Sequence, residues 1–231
     1  MSLMPIYSPL SPAGPGTVTY VSEAGVAGSA SQTEFTFSNA NIGVAAGDRL
    51  VVAIVGTKSQ GSAGVVSSVT IGGVSAAKAA EIAGTNPEDR LSMWYLAVSS
   101  GTAANVVVTS PVNAYACALV IYNINGNINP TPSAFTVDNG ASPNVLTVSI
   151  PAVGVAIAAG SNRGGQGTAS YANITERNEF SSITSDGDFG ITSSASDAYE
   201  NAQTNLAITF SYSAGSSPTG SGLVVAWGPP S

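Results

Sequence analysis

Residues Arg90–Gly126 read RLSMWYLAVSSGTAANVVVTSPVNAYACALVIYNING, and this stretch decides the fold class. It holds three apolar runs: Leu91 to Val98 with Met93, Trp94, Tyr95 and Leu96; Asn105 to Thr109 with Val106, Val107 and Val108; and Tyr115 to Ile124 with Cys117, Leu119, Ile121 and Tyr122. Ser99-Ser100-Gly101-Thr102 and Ser110-Pro111-Val112-Asn113 separate them, and both pieces have the Gly, Pro, Ser and Asn chemistry that bends a chain. The spacing predicts three consecutive strands joined by tight turns, a β-meander.

The same signals extend in both directions. Val18 and Tyr20, then Phe35 and Phe37, alternate with hydroxyl or charged residues, the period of a half-buried strand. After the turn at Gly47-Asp48, Leu50 to Val55 is apolar on both parities and reads as a central strand. Val65, Ser67, Val69 and Ile71 form another run, closed by Gly72-Gly73. The Ala-rich piece Ser75 to Ala83 reads as strand or a single helical turn, and the segment from Asn125-Gly126 to Pro143 as loop. Further on, Leu146, Val148 and Ile150, then Val153, Val155 and Ile157, then Leu206, Ile208, Phe210 and Tyr212, and finally Leu223, Val225 and Trp227 repeat the period of two. No window sustains a helical period. About twelve strands divided by Gly, Ser, Pro and Asn turns predict an all-β chain, an antiparallel two-sheet sandwich of the jelly-roll or immunoglobulin-like type. Phe35, Phe37, Trp94 or Tyr95, Leu119, Ile121, Phe210 and Trp227 are its expected core.

Two domain regions follow: an extended Pro-rich N-terminal arm over residues 1–16 and a single β-sandwich domain over 17–231. Pro5, Pro9, Pro12 and Pro15 fix φ and remove donors every three or four residues, which bars helix and central strand from the arm. Ile6, Tyr7 and Leu10 lie between them as apolar anchors for a neighbouring chain or a particle surface.

Charge and composition exclude several function classes. Charged residues make up 8% of the chain, far below the ~25% of ordinary soluble domains, so the surface must be mostly hydroxyl, amide and small apolar groups. The net charge is −7, and the six basic residues are scattered, leaving no basic stripe for nucleic acid. No apolar run approaches the ~18 residues of a membrane-spanning helix. The single cysteine, Cys117, alternates in phase with Leu119 and Ile121 and reads as a core residue rather than part of a disulfide framework. Met1-Ser2-Leu3-Met4-Pro5 lacks the basic and apolar regions of a signal peptide, so an extracellular role is expected to be reached by another route.

The catalytic inventory is thin. Without histidine, the Ser/His and Cys/His nucleophile pairs and the common zinc sites cannot be built. The Gly-rich piece Gly160 to Gly167 lacks the Lys-Ser/Thr end of a phosphate-binding loop. Asp186-Gly187-Asp188 lies among six of the thirteen acids, between Glu176 and Glu200, and reads as a solvated turn, with Ca²⁺ binding or paired-carboxylate catalysis as the sharper alternatives. Tyr171, Phe180, Phe189 and Tyr199 thread the same segment, either packing a long loop onto the sheets or forming an aromatic glycan platform. No catalytic, cofactor or metal residue is assigned, and no enzymatic activity is expected.

One pattern exceeds ordinary alternation. Ala114, Ala116, Ala118 and Val120 share one parity opposite Tyr115, Cys117, Leu119 and Ile121, and Gly154, Ala156 and Ala158 do the same after Val153. A solvated face would carry polar groups, so something covers these small ones: either the chain's own elements or a second subunit. Ala114, Ala116, Ala118 and Val120 are therefore candidate contacts with a subunit or capsid, as are Ile6, Tyr7 and Leu10.

Three pieces carry a resemblance: Gly47-Asp48-Arg49-Leu50-Val51-Val52-Ala53; Val69-Thr70-Ile71-Gly72-Gly73-Val74; and Met93-Trp94-Tyr95 followed by Gly101-Thr102-Ala103 and Val106-Val107-Val108. Over roughly residues 45 to 125 the chain resembles β-sandwich virion proteins of tailed bacteriophages, which serve as capsid decoration or cement proteins, head fibres or tail accessory proteins. The resemblance implies a structural role in the virion as an oligomer bound to the major capsid protein or other virion proteins, and transfers no active-site residue. The alternative is a carbohydrate-binding or adhesin module contacting glycans.

Overall fold

The structure, a computed structural model, describes residues 14, 16–59, 65–83, 89–140, 142–163, 169–179, 189–212 and 220–230. The arm residues Ile6, Tyr7 and Leu10, and the Asp186-Gly187-Asp188 turn, lie outside them. Every regular element among the described residues is a β-strand, and every pairing is antiparallel.

In chain order the N-terminal strands are β1 (Thr17–Asn41), β2 (Leu50–Ser59), β3 (Ser68–Ile71), β4 (Val74–Ser75), β5 (Ala77–Ala83), β6 (Asp89–Ala97) and β7 (Ala103–Asn125). They form one seven-stranded sheet in the order β4-β3-β7-β2-β6-β5, with β1 also paired to β7. The expected meander is absent. β2 lies between β6 and β7 and pairs with both, Val52 facing Tyr95 on one side and Tyr122 on the other. The second expected turn, Ser110 to Asn113, is an irregularity inside a continuous β7. β1 pairs with β7 on both sides of it, at Glu34↔Thr109 and at Gln32↔Ala114, with a register shift between. A bulge accommodates Pro111 where a regular ladder would not.

The parity of β7 reverses just beyond that irregularity, between Ala114 and Cys117, where its register with both β1 and β2 shifts. Before it Val106 and Val108 face a core, and after it Cys117, Leu119 and Ile121 face the same one, together with Phe35, Phe37, Val51, Val55 and Ile71. The sheet thus bends over and encloses its own core.

The C-terminal strands are β8 (Ala134–Asp138), β9 (Asn144–Ile150), β10 (Gly154–Arg163), β11 (Ala169–Ala172), β12 (Glu176–Glu179), β13 (Phe189–Tyr199), β14 (Gln203–Tyr212) and β15 (Gly220–Trp227). They form a five-stranded sheet, β12-β13-β10-β15-β8, and a three-stranded sheet, β11-β14-β9. The sequence reading expects two sheets; the described residues form three. β8 lies in the segment read as loop, its Phe135 and Val137 paired with Val225 and Leu223.

Among the described residues each ladder stays within 17–125 or within 134–227, and the two parts meet through side chains. Leu50, Val52, Ile54, Met93, Ala118, Val120 and Tyr122 pack against Val155, Ile157, Leu223, Val225 and Trp227. On the far face of the five-stranded sheet, Ala156, Ala158, Val224 and Ala226 pack against Leu146, Val148, Ile150 and Ile208. Both faces of β10 and β15 are therefore covered, which explains why their two parities are apolar, while β9 alternates buried and exposed throughout. Burying each large apolar side chain contributes about 1.5–3 kcal/mol. Phe35, Phe37, Trp94, Leu119, Ile121, Phe210 and Trp227 are all buried, and Tyr95 is partly so.

Candidate functional site

The small-residue face is covered by the chain itself. Ala114, Ala116, Ala118 and Val120 are at most 1% exposed. Ala118 and Val120 pack toward β10 and β15, whereas Ala114 joins the core inside the bent sheet. As contacts for a second subunit or a capsid these four residues are corrected: they have no surface to offer. The small side chains serve close sheet-to-sheet approach instead. The same holds for Ala156 and Ala158, and Gly160 makes the requirement explicit. A methyl group placed on Gly160 would lie 2.2 Å from the Phe210 ring of the facing sheet.

Arg49 fastens the connections at one end of the N-terminal sheet. Its guanidinium is buried and donates five hydrogen bonds to main-chain carbonyls: Nε to Val98 (2.8 Å), one terminal nitrogen to Ile42 (3.3 Å) and Gly43 (2.8 Å), and the other to Ser100 (2.8 Å) and Gly101 (2.9 Å). These carbonyls belong to the turn between β1 and β2 and the turn between β6 and β7, so one side chain fastens two connections. Burial lowers its pKa from the ordinary arginine value, and the guanidinium remains a cation. Beside it, Asp48 accepts a hydrogen bond from the Gly126 N–H (2.9 Å), fixing the end of β7 to the same turn. The connection to the C-terminal part is tied down in turn, with the Asn129 N–H donating to the Gly228 carbonyl (2.8 Å) and Trp227 Nε1 to the Pro130 carbonyl (3.2 Å). These segments frame a cleft of about 540 Å³ lined by residues 47–50, 97–99, 126–128 and 130. All five guanidinium donors are engaged, so Arg49 has none left for an anion in the cleft. Sequence reasoning placed the turn at Gly47-Asp48 and missed the role of Arg49. The available signal was a cation directly before the apolar run Leu50 to Val55.

A second polar contact bridges the layers. The Tyr122 hydroxyl and Ser194 Oγ are 2.6 Å apart and buried, and the Tyr20 ring stacks edge-on against Tyr122 with centroids 5.7 Å apart. Burial raises the Tyr122 hydroxyl pKa well above its ordinary value, against the opposing effect of the Ser194 hydrogen bond.

The aromatic segment turns inward. Tyr171 packs on Phe210 (5.2 Å between centroids) and donates its hydroxyl to the Ser193 carbonyl (3.1 Å). Tyr199 donates to the Asn173 carbonyl (3.3 Å), and burial, with the charge of Asp197, pushes its pKa up to about 12. Both rings hold the segment against the sheets and are not set out as a platform. Phe180 and the Phe189 side chain lie outside the described residues. Among the described residues no cluster of three metal-ligating side chains occurs.

The outward face of the three-stranded sheet has a different character. It carries Val145, Thr147 and Ser149 on β9, Ala207, Thr209 and Ser211 on β14, and Ser170 and Ala172 on β11, in register across the strands. None of these side chains is charged. Val145 is half exposed, and the alternation of β9 sets its hydroxyls toward solvent.

Comparison with known protein families, with curated proteins and with solved structures finds no match to this chain.

Proposed function

We propose that this chain is a non-enzymatic structural protein of a tailed-bacteriophage virion, a capsid decoration or cement protein that binds the particle surface and neighbouring subunits. The observation that carries the reading is the neutral outward face of β9, β14 and β11. Threonine, serine, alanine and valine side chains on a sheet lose little hydration when covered, and no ion has to be stripped of water. Such a face suits stable apposition to another protein wall. It replaces the Ala114, Ala116, Ala118 and Val120 face, which the chain itself covers.

The internal use of charge supports the same reading. Arg49 fastens turns, Lys78 pairs with Glu81, and Arg177 pairs with Asp197 at 3.2 Å. Within the proposal, each part of the chain is a two-layer sandwich related to the jelly-roll or immunoglobulin-like type. This is supported by the antiparallel ladders and by the separate cores inside the bent sheet and between the two C-terminal sheets.

The test is co-sedimentation of the purified chain with phage particles. Thr147→Glu and Thr209→Glu, both on the outward face, should weaken binding about ten-fold or more and leave the thermal transition in place. Unchanged binding of both variants would remove the face from the proposal. Failure to sediment with particles, together with retention on a surface-polysaccharide matrix, would replace it with the adhesin reading.

A further inference from the structure

We propose that Asn139 is a self-modification site, at which the chain converts its own side-chain amide to a carboxylate through the main-chain nitrogen of Gly140. The sequence contains two Asn-Gly pairs, Asn125-Gly126 and Asn139-Gly140. In such a pair the glycine nitrogen is free to attack the asparagine Cγ, because no side chain on the following residue crowds the ring that forms. A bond forms between Gly140 N and Asn139 Cγ, the bond from Cγ to Nδ2 breaks, and ammonia leaves with the proton that Gly140 N gives up. Water then opens the cyclic imide at either carbonyl. Opening at Cγ yields aspartate, and opening at the main-chain carbonyl yields iso-aspartate, in which the chain runs through the former side chain. Water is the only co-reactant.

The turn between β8 and β9 arranges the first step. Asn139 is exposed and stands just beyond Asp138, the last paired residue of β8, which faces Gly222. No ladder holds its backbone, so the amide is able to swing toward the next nitrogen, and water reaches it. The Gly140 N–H donates to Asp138 Oδ1 (3.0 Å), so a carboxylate already sits on the proton that the attacking nitrogen must lose. A methyl group on Gly140 would lie 3.2 Å from that same oxygen, which makes this position sensitive to even the smallest side chain.

Asn125-Gly126 supplies the contrast within the same chain. Its glycine N–H is also held by a carboxylate, that of Asp48, at 2.9 Å. Asn125, however, is the last residue of β7 and pairs with Thr17, and its Oδ1 is buried. Gly126 lies against the Gly16 Cα. The ladder fixes the backbone that must rotate for the ring to close, and burial keeps water from the amide. The dipeptides are identical, and the fold selects one of them. The product matters locally: a second carboxylate appears beside Asp138, close to the exposed Phe135 and Val137. An iso-aspartate also lengthens the main chain next to the Gly140 carbonyl, which accepts from Asn144 Nδ2 (3.3 Å) at the start of β9. The inference does not rest on the virion reading, because the reaction needs only the chain and water.

The experiment incubates the purified full chain at mildly alkaline pH, follows acidic species by ion exchange, and maps them by mass spectrometry that separates aspartate from iso-aspartate. Asn139 should convert to both products, about ten-fold or more faster than Asn125 in the folded chain, and the difference should close in urea. Gly140→Ala should slow the conversion about ten-fold or more while the thermal transition stays put. Asn139→Gln is the second variant, and the acidic species assigned to this turn should vanish in it. No conversion at Asn139, equal rates at Asn139 and Asn125 in the folded chain, or a preference for Asn139 that persists in urea would each overturn the proposal. So would a Gly140→Ala chain that converts as fast as the parent, or aspartate formed with no iso-aspartate.

Discussion

Removing the Arg49 side chain tests how the two connections are held. Arg49→Ala deletes five hydrogen bonds to main-chain carbonyls. At the ~0.5–1.5 kcal/mol of a net bond the loss spans about 3–7 kcal/mol, and the range narrows downward because the adjoining cleft lets water reach some of the orphaned carbonyls. The exposed Ser100 and Gly101 are the first to be rehydrated, whereas Ile42 is 1% exposed. A cost of about 4 kcal/mol is therefore expected, a large share of the roughly 5–15 kcal/mol that stabilises a typical fold. Arg49→Lys separates geometry from charge. Lysine keeps the cation but presents its donors from a single nitrogen, which cannot serve carbonyls on both turns at once, so about 2 kcal/mol should still be lost. The assay is urea unfolding followed by the fluorescence of the buried Trp94 and Trp227, with the midpoint shifting and the slope unchanged. An Arg49→Ala variant within about 1 kcal/mol of the parent, or an Arg49→Lys variant as stable as the parent, would refute this account of the two connections.

Four further outcomes follow from the packing. Gly160→Ala should destabilise the chain by about 2 kcal/mol or more, and Phe210→Leu in the same molecule should recover part of the loss, a coupling that a thermal-shift cycle would read directly. Val153 has φ near 54°, a left-handed conformation that a β-branched residue adopts at a cost of about 1–2 kcal/mol, so Val153→Gly should raise the unfolding midpoint. The buried Cys117 thiol, its pKa raised by burial, should resist a thiol reagent in the folded chain and react stoichiometrically once unfolded. Tyr20, Tyr199 and Tyr212 have pKa values raised from 10 to about 12, chiefly by burial, so the folded chain keeps these protons where the unfolded chain loses them. Their contribution is complete below pH 10 and is lost as pH rises toward 12, and the unfolding midpoint should fall across that window.

The strands were legible wherever a period of two or a doubly apolar run reports local environment. Leu146, Val148 and Ile150 alternate because β9 has one wet face. Leu50 to Val55 does not, because β2 is a central strand that separates two cores. Pairing partners were not legible. The meander failed because β6 and β7 each pair with β2, which comes earlier in the chain, and no local signal in Arg90 to Gly126 reports that. Pro111 looked like a turn and proved to sit in a bulge, since a missing N–H tells only that a ladder is interrupted. Phe135 and Val137 were passed over because prolines flank a strand of five residues. For the candidate site, the need for a cover over Ala118 and Val120 was readable from their size. The identity of the cover was not, because Val155, Ile157, Leu223 and Val225 lie far along the chain. Arg49 escaped notice because its five partners are carbonyls, which leave no trace in the side-chain sequence.

The virion proposal meets its most direct test in the composition of the particles themselves. Phage particles banded on a density gradient from the lysate in which this chain is made, then washed and quantified by mass spectrometry, should contain the chain in a fixed ratio to the major capsid protein. Its presence in the soluble fraction alone, with none in the banded particles, would contradict the account.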